Sequence, residues 1–181
     1  MPQRPAEPPA TFAELHRHLA DDVLIWAELQ LRPLLRRRLD PEDLAQEIWG
    51  RALRAFPTFD PARGTFRQWL FGIAWHTLRR QLRDWHRRYC REDPTEAGWH
   101  LAAAVTDGRT SVPTKVGRSD RARQLLLALS DLPEDERQLV QYRGLEGLSH
   151  AEVARRLGLT EGNAESRWRR LRQRLAVLLP E

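Results

Sequence analysis

Lysine is almost missing from this chain: Lys115 stands alone, and the rest of the thirty basic residues are arginine. For net charge the two types count alike, but a guanidinium forks onto phosphate and guanine edges and stacks on bases, which an ammonium does not. Cysteine is also nearly absent. With Cys90 as its one representative no intrachain disulfide can form, which fits a reducing, cytoplasmic setting. No apolar run approaches the roughly 20 residues that a membrane span requires, so no membrane partner is expected. The first ten residues, "MPQRPAEPPA", lack an apolar signal core and read as a disordered lead. Period-two alternation is missing as well, and without it there is no case for a sheet.

What remains is arginine, tryptophan and helical periodicity. The formal charge is +5 and the isoelectric point near 10.5. Such a balance suits a polyanionic partner, although an arginine-rich solvated surface would give the same figures. The spacing predicts an all-α chain of two small helical domains joined by a flexible linker. A first helical block runs from about Thr11 to Arg38, with Phe12, Leu15, Leu19, Val23, Trp26 and Leu29 near helical spacing and Pro33 kinking or dividing it. "DPEDLAQEIWGRALRAF" opens with Asp40 as a cap and Pro41 in the first turn, and places Leu44, Ile48, Ala52 and Phe56 inward. Pro57, Pro61 and Gly64 break the chain before a long helix over residues 66–88. Periodicity dissolves from about Glu92 to Gly117 and resumes near Asp120. The boundaries expected are therefore a lead at 1–10, a first domain at 11–91, a linker at 92–119 and a second domain at 120–179.

The last stretch, "SHAEVARRLGLTEGNAESRWRRLRQRL", has helix-turn-helix grammar. Ser149 and Glu152 form a capping box, Gly158 suits the tight turn, and Thr160 can cap the next helix. At about 100° per residue, Ala164, Trp168, Leu171 and Leu175 face the core. Asn163, Ser166, Arg167, Arg170, Gln173 and Arg174 lie opposite, the inventory of a major-groove reader. A generic helical hairpin with a charged outer face would show the same pattern. Glu165 projects to the flank, where Arg169 one turn on would neutralise it.

In "FRQWLFGIAWHTLRRQLRDWHRR", residues 66 to 88, the same projection separates two apolar stripes from one basic sector. Phe66, Leu70, Ile73 and Thr77 form the first stripe, and Phe71, Leu78, Leu82 and Trp85 the second. Gln68, Gly72, His76, Arg79, Arg80, Arg83, His86 and Arg87 fill the basic sector. Trp69 and Trp75 border it on its two sides. A basic groove with flanking rings suits single-stranded nucleic acid, with charge along the backbone and rings stacked on bases. Rings that merely close the edge of a core would have the same spacing. Trp85 reads as core, Trp69 as partly buried support and Trp75 as the ring that meets DNA.

Both blocks together resemble a bacterial RNA polymerase sigma factor of the sigma-70 superfamily, and more narrowly the compact extracytoplasmic-function (ECF) group that keeps regions 2 and 4. The resemblance covers residues 11 to 90 and 120 to 179. It implies that Asp43, Gln46 and Glu47, otherwise a solvated acidic face, contact the clamp helices of core polymerase. It implies that Arg67, Trp69, Trp75, His76, Arg79, Arg80 and Arg83 bind the −10 element as it melts to single strands. It implies that Asn163, Ser166, Arg167, Arg170, Gln173 and Arg174 read duplex DNA at −35, next to the polymerase flap. An anti-sigma factor is a further partner that this group admits, and the linker acids Glu92, Asp93, Glu96 and Asp107 suit a path toward the polymerase active-site channel. Three departures stand out. Trp75-His76 replaces a usual Arg-Asn pair; "GNAESR" replaces a Gly-Thr-Val-Lys-Ser-Arg run; and Trp168 stands where leucine is usual, filling space left by Ala164.

Other function classes fit less of the chain. Asp40, Glu42, Asp43 and Glu47 lack a converging histidine or third acidic cluster, and His86 with Cys90 is a lone pair of metal-ligand types. No enzyme activity, metal or cofactor is expected. A stand-alone helix-turn-helix regulator that dimerises on duplex DNA is the alternative, and it leaves the basic-aromatic first domain without a role.

Overall fold

A computed structural model describes residues 11–31, 33–36, 39–89 and 120–178. The expected lead at 1–10, the linker with its acidic residues, and Cys90 lie outside the described residues. Eight α-helices appear among them, with no strand. In chain order they are α1 (Phe12–Gln30), α2 (Pro33–Arg36), α3 (Pro41–Ala55), α4 (Phe66–Tyr89), α5 (Asp120–Ser130), α6 (Glu134–Leu139), α7 (His150–Leu157) and α8 (Glu161–Leu178). A π-helical turn, Val140–Leu145, continues α6. None of these helices is long and apolar enough to cross a membrane.

Local chemistry sets most helix ends. Thr11 caps α1 in a reciprocal box, Glu14 N donating to Thr11 Oγ1 at 3.3 Å and Thr11 N to Glu14 Oε2 at 2.8 Å. Pro33 divides the first block: α1 stops at Gln30 and a four-residue helix starts at the proline. Arg36 folds back over that break and donates to the carbonyls of Glu28 at 2.6 Å and Leu31 at 2.7 Å. It also pairs with the buried Glu28 carboxylate at 2.6 Å. One guanidinium thus satisfies orphan carbonyls and a buried charge together. Asp40 caps α3 through Glu42 N at 2.9 Å, with Pro41 in the first turn, as expected. Thr65 and Gln68 make a second reciprocal box at the start of α4.

The first domain packs α1, α3 and α4 against one another. Leu44, Ile48 and Ala52 of α3 are buried as expected, while Phe56 is half-buried and Trp49 joins the core instead. Phe12, Trp49, Phe56, Phe59 and Phe66 meet mostly edge to face, with centroids 5.2 to 6.4 Å apart. On α4 the first stripe buries Phe66, Leu70 and Thr77, and the second buries Phe71 and Leu78; Ile73, Leu82 and Trp85 are half-buried.

In the second domain α5 buries Ala122, Leu125, Leu126 and Leu129. Helix α7 opens on the Ser149–Glu152 capping box and closes on Gly158 at φ 65°, the left-handed conformation that glycine adopts without strain. Thr160 Oγ1 then accepts from Asn163 N at 3.3 Å, capping α8. Ala164, Leu171 and Leu175 are buried and Trp168 is half-buried. The space that admits Trp168 is at Gly144, where a Cβ would lie 3.1 Å from the indole Cη2. α5 and the π-turn also pack on α1, so the two domains touch.

Candidate functional site

The basic sector of α4 is displayed as its spacing predicts, apart from His86, whose side chain lies outside the described residues. Gln68, Gly72, His76, Arg79, Arg80, Arg83 and Arg87 are all exposed. A groove of about 520 Å³ runs along His76, Arg80, Arg83, Asp84 and Arg87. Asp84 lies within it, paired to Arg87 and 3.8 Å from Arg80. The face is therefore basic with one internal acid, which orders two guanidiniums without cancelling the excess positive charge.

The rings divide differently from the arginines. Trp75 is half-buried and packs edge-on against Trp26 with centroids 5.3 Å apart, while the Arg79 guanidinium lies 5.7 Å above its ring. Its indole N–H is buried and meets no acceptor among the described residues. Trp69 is half-buried in the aromatic cluster, 5.3 Å from both Phe59 and Phe66. Trp85, expected in the core, is half-buried near the end of α4. Arg67 stands apart from the other −10 candidates. Its Nη1 donates to Asp22 Oδ2 at 2.7 Å and to the Leu145 carbonyl at 2.7 Å, so it faces the second domain.

On α3, Asp43 and Gln46 are exposed and Glu47 is partly covered. Burial would raise the Glu47 carboxyl, but bonds from Gln81 and from Arg51 outweigh it and hold the group below the usual glutamate range. Arg51 donates to Glu47 Oε1 through Nη2 at 2.6 Å and Nε at 2.9 Å. These ties fix Glu47 as an anion and join α3 to α4, leaving Asp43 and Gln46 as the free part of the acidic face. Leu53, two turns on, is 56% exposed.

The outer face of α8 presents Asn163, Arg170, Gln173 and Arg174 exposed, with Ser166 and Arg167 half-buried. Sequence reasoning missed what α6 does to this face. Arg174 makes a bidentate pair with Glu136 at 2.7 and 2.6 Å, and Arg167 reaches Asp135 at 3.0 Å. The acid run "PEDE" at 133–136 carried that signal. These pairs hold two arginines at the flank and leave Asn163, Arg170 and Gln173 as the unclaimed outward set. Glu165 is exposed, and among the described residues no ion pair joins it to Arg169, contrary to expectation. Also among the described residues, no three histidine, cysteine, aspartate or glutamate side chains group as a metal site would require.

Two family models match this chain: sigma-70 region 2 over residues 27–89 and sigma-70 region 4 over residues 122–175. The ECF RNA polymerase sigma factor RpoE of Cereibacter sphaeroides is 29% identical over 175 residues, covering 92% of this chain and 87% of the relative. The ECF RNA polymerase sigma factor SigC of Mycobacterium tuberculosis is 31% identical over 134 residues, covering 74% and 67%. Among solved structures, the sigma factor RpoE in complex with the anti-sigma factor NepR from Bartonella quintana aligns over 93% of this chain and 96% of its own, at 23% identity and a TM-score of 0.48. The acidic helix and the basic helix fall in the first matched block and the helix-turn-helix in the second, and the chain belongs to the sigma-70 family as an ECF RNA polymerase sigma factor.

Proposed function

We infer that the chain directs promoter-specific initiation by dividing the work between its domains. Residues 11–91 bind the clamp of core polymerase through Asp43, Gln46 and Glu47. The same domain takes the −10 strand on α4 as the duplex melts. Residues 120–179 hold the −35 duplex in the groove faced by α8, close to the flap. An anti-sigma factor belongs to this reading on the family resemblance alone, as does work in the cytoplasm beside the polymerase.

The observation that supports the reading best is the face of α4, where His76, Arg79, Arg80, Arg83 and Arg87 are exposed in one run with Trp75 at its edge. A backbone of phosphates would follow the guanidiniums, and a flipped base would meet the exposed part of the half-buried Trp75 ring, which Trp26 braces from inside and Arg79 flanks. On α8, the exposed Arg170 and Asn163 suit guanine and adenine edges. Arg167 and Arg174, held at the flank by α6, suit phosphates beside the groove.

Trp75→Ala tests the assignment. Thymine reactivity to permanganate in the −10 region should fall about tenfold, as loss of one base–ring stack implies, while affinity for core polymerase stays unchanged. An equal loss of both would make Trp75 a structural residue and remove it from the site.

A further inference from the structure

A groove of about 330 Å³ between α6 and α8 holds the guanidiniums of Arg167, Arg170 and Arg174 and the carboxylates of Asp135 and Glu136. Leu139 and Leu171 line it from either helix and are almost fully buried, which seats α6 against α8. Arg167 and Arg174 are two turns apart on one row of α8, with Arg170 between them. Asp135 and Glu136 are neighbours at the start of α6, and they reach opposite ways along that row. Acids in this first turn suit the positive end of α6. That accounts for their charge but not for their aim at another helix. Glu134, in the same turn, accepts instead from Arg137 at 2.5 Å and Gln138 at 3.0 Å, both on its own helix.

The two interhelical pairs differ in strength. Asp135 accepts one bond from Arg167 at 3.0 Å, and the two side chains are 59% and 40% exposed. A single bond in that setting gives little hold. Glu136 is 25% exposed and takes Arg174 with both oxygens, Nη1 donating to Oε1 at 2.7 Å and Nη2 to Oε2 at 2.6 Å. This is the planar fork that fixes a guanidinium in direction as well as distance. The fork uses two of the five N–H donors of an arginine and leaves Nε–H and one N–H on each terminal nitrogen. Arg174 therefore keeps donors to offer while the carboxylate cancels its charge.

We propose that Glu136 is a positioning residue for −35 recognition, holding Arg174 as a neutral, directional donor instead of a mobile cation. The proposal rests on the reading of α8 as the −35 face. An arginine free to swing on this row would meet a phosphate of any duplex, release a counterion and add affinity without selectivity. A forked arginine donates only to an acceptor that arrives at its outer N–H groups, so it favours one register of α8 on the duplex. Asp135 holds Arg167 too weakly to keep it from a phosphate. The row is thus divided: Arg167 and Arg170 supply charge, and Arg174 supplies register.

The test uses the full chain bound to core polymerase and measures its affinity for a random-sequence duplex across a salt series. Glu136→Gln keeps the size of the side chain and removes its charge. It should steepen the fall of log K with log salt by about one, because Arg174 then displaces a counterion of its own. Arg174→Ala should leave the slope of the unaltered chain as it is, and adding it to Glu136→Gln should restore that slope. Glu134→Gln takes the same charge from the same turn and should change nothing. A merely structural role for Glu136 would lower affinity without steepening the slope. The same complexes then select from a random duplex library. Glu136→Gln should enrich the same −35 element as the unaltered chain, with discrimination reduced about tenfold, the size of one base-pair preference. A slope unmoved by Glu136→Gln, or lowered by Arg174→Ala alone, overturns the positioning role and leaves the −35 reading standing. A steeper slope with undiminished selection overturns it as well, since Glu136 would then be a counter-charge only. Enrichment of no common element by any of the chains overturns the −35 reading and the positioning role with it.

Discussion

Arg36 and Gly144 show how much single side chains carry here. Arg36 neutralises Glu28 and covers two carbonyls at the end of α1, all in a nearly dry setting. Replacing it by methionine takes a charged partner from the buried Glu28 carboxylate, at a cost of up to about 3–5 kcal/mol. Urea denaturation of Arg36→Met should show a loss of that size, and Glu28→Gln in the same chain should recover part of it. Gly144 works by absence. Its missing Cβ admits the edge of Trp168, so Gly144→Val forces the ring or the π-turn to move and should destabilise by roughly 1–3 kcal/mol. Trp168→Leu should then relieve the Gly144→Val defect, measured as a rise in melting temperature. From the sequence Ala164 and Trp168 read as a repacked pair because both lie on one helix at readable spacing, whereas the structure puts the ring against Gly144. Gly144 lies in another element, and only the folded chain brings it to the ring.

Helices were legible where their signals are local. The caps at Asp40, Ser149 and Thr160, the glycine turn at 158 and the three sectors of α4 follow from residues within a few positions of one another. The ends at Thr11 and Ser149 also carry a pH signature. Bonds from the Thr11 backbone and hydroxyl hold the Glu14 carboxyl below the usual glutamate range, and the Ser149 backbone and hydroxyl do the same for Glu152. A lowered carboxyl stabilises the fold above its unfolded range and loses that contribution as pH falls through and below it. Amide protection in the first turns of α1 and α7 should therefore drop as pH is lowered past the carboxylate range and be flat near neutrality. Ser149→Ala should cost about 1 kcal/mol at neutral pH and weaken the pH response of α7 alone without removing it, because the backbone N–H at 149 still donates to Glu152. What could not be read was pairing between helices. The bonds from Arg167 and Arg174 to Asp135 and Glu136 span more than thirty positions, and although the acid run is visible no period in the chain pairs it with these arginines.

For the molecule as a whole, arginine is divided between structure and display. Arg36, Arg51, Arg67, Arg167 and Arg174 hold carboxylates within the fold. The run on α4 and the outer arginines of α8 face solvent and supply the positive surface. Polymerase–promoter affinity should fall steeply with salt, and each of Arg79→Ala, Arg80→Ala and Arg83→Ala should reduce the slope of log K against log salt by about one. The family assignment was legible because both blocks occur in order. The contact between them was not, since it turns on Glu146 and Arg67, whose partners lie 120 and 78 positions away. Promoter selection is measured by transcription from a promoter library with core polymerase and this protein as the sole sigma. Discrete transcripts should start downstream of a shared pair of −35 and −10 elements, dependent on Arg79, Arg80 and Arg83. Transcription no different from core polymerase alone, together with tight binding of duplex DNA by the free chain, would make the protein a stand-alone helix-turn-helix regulator instead.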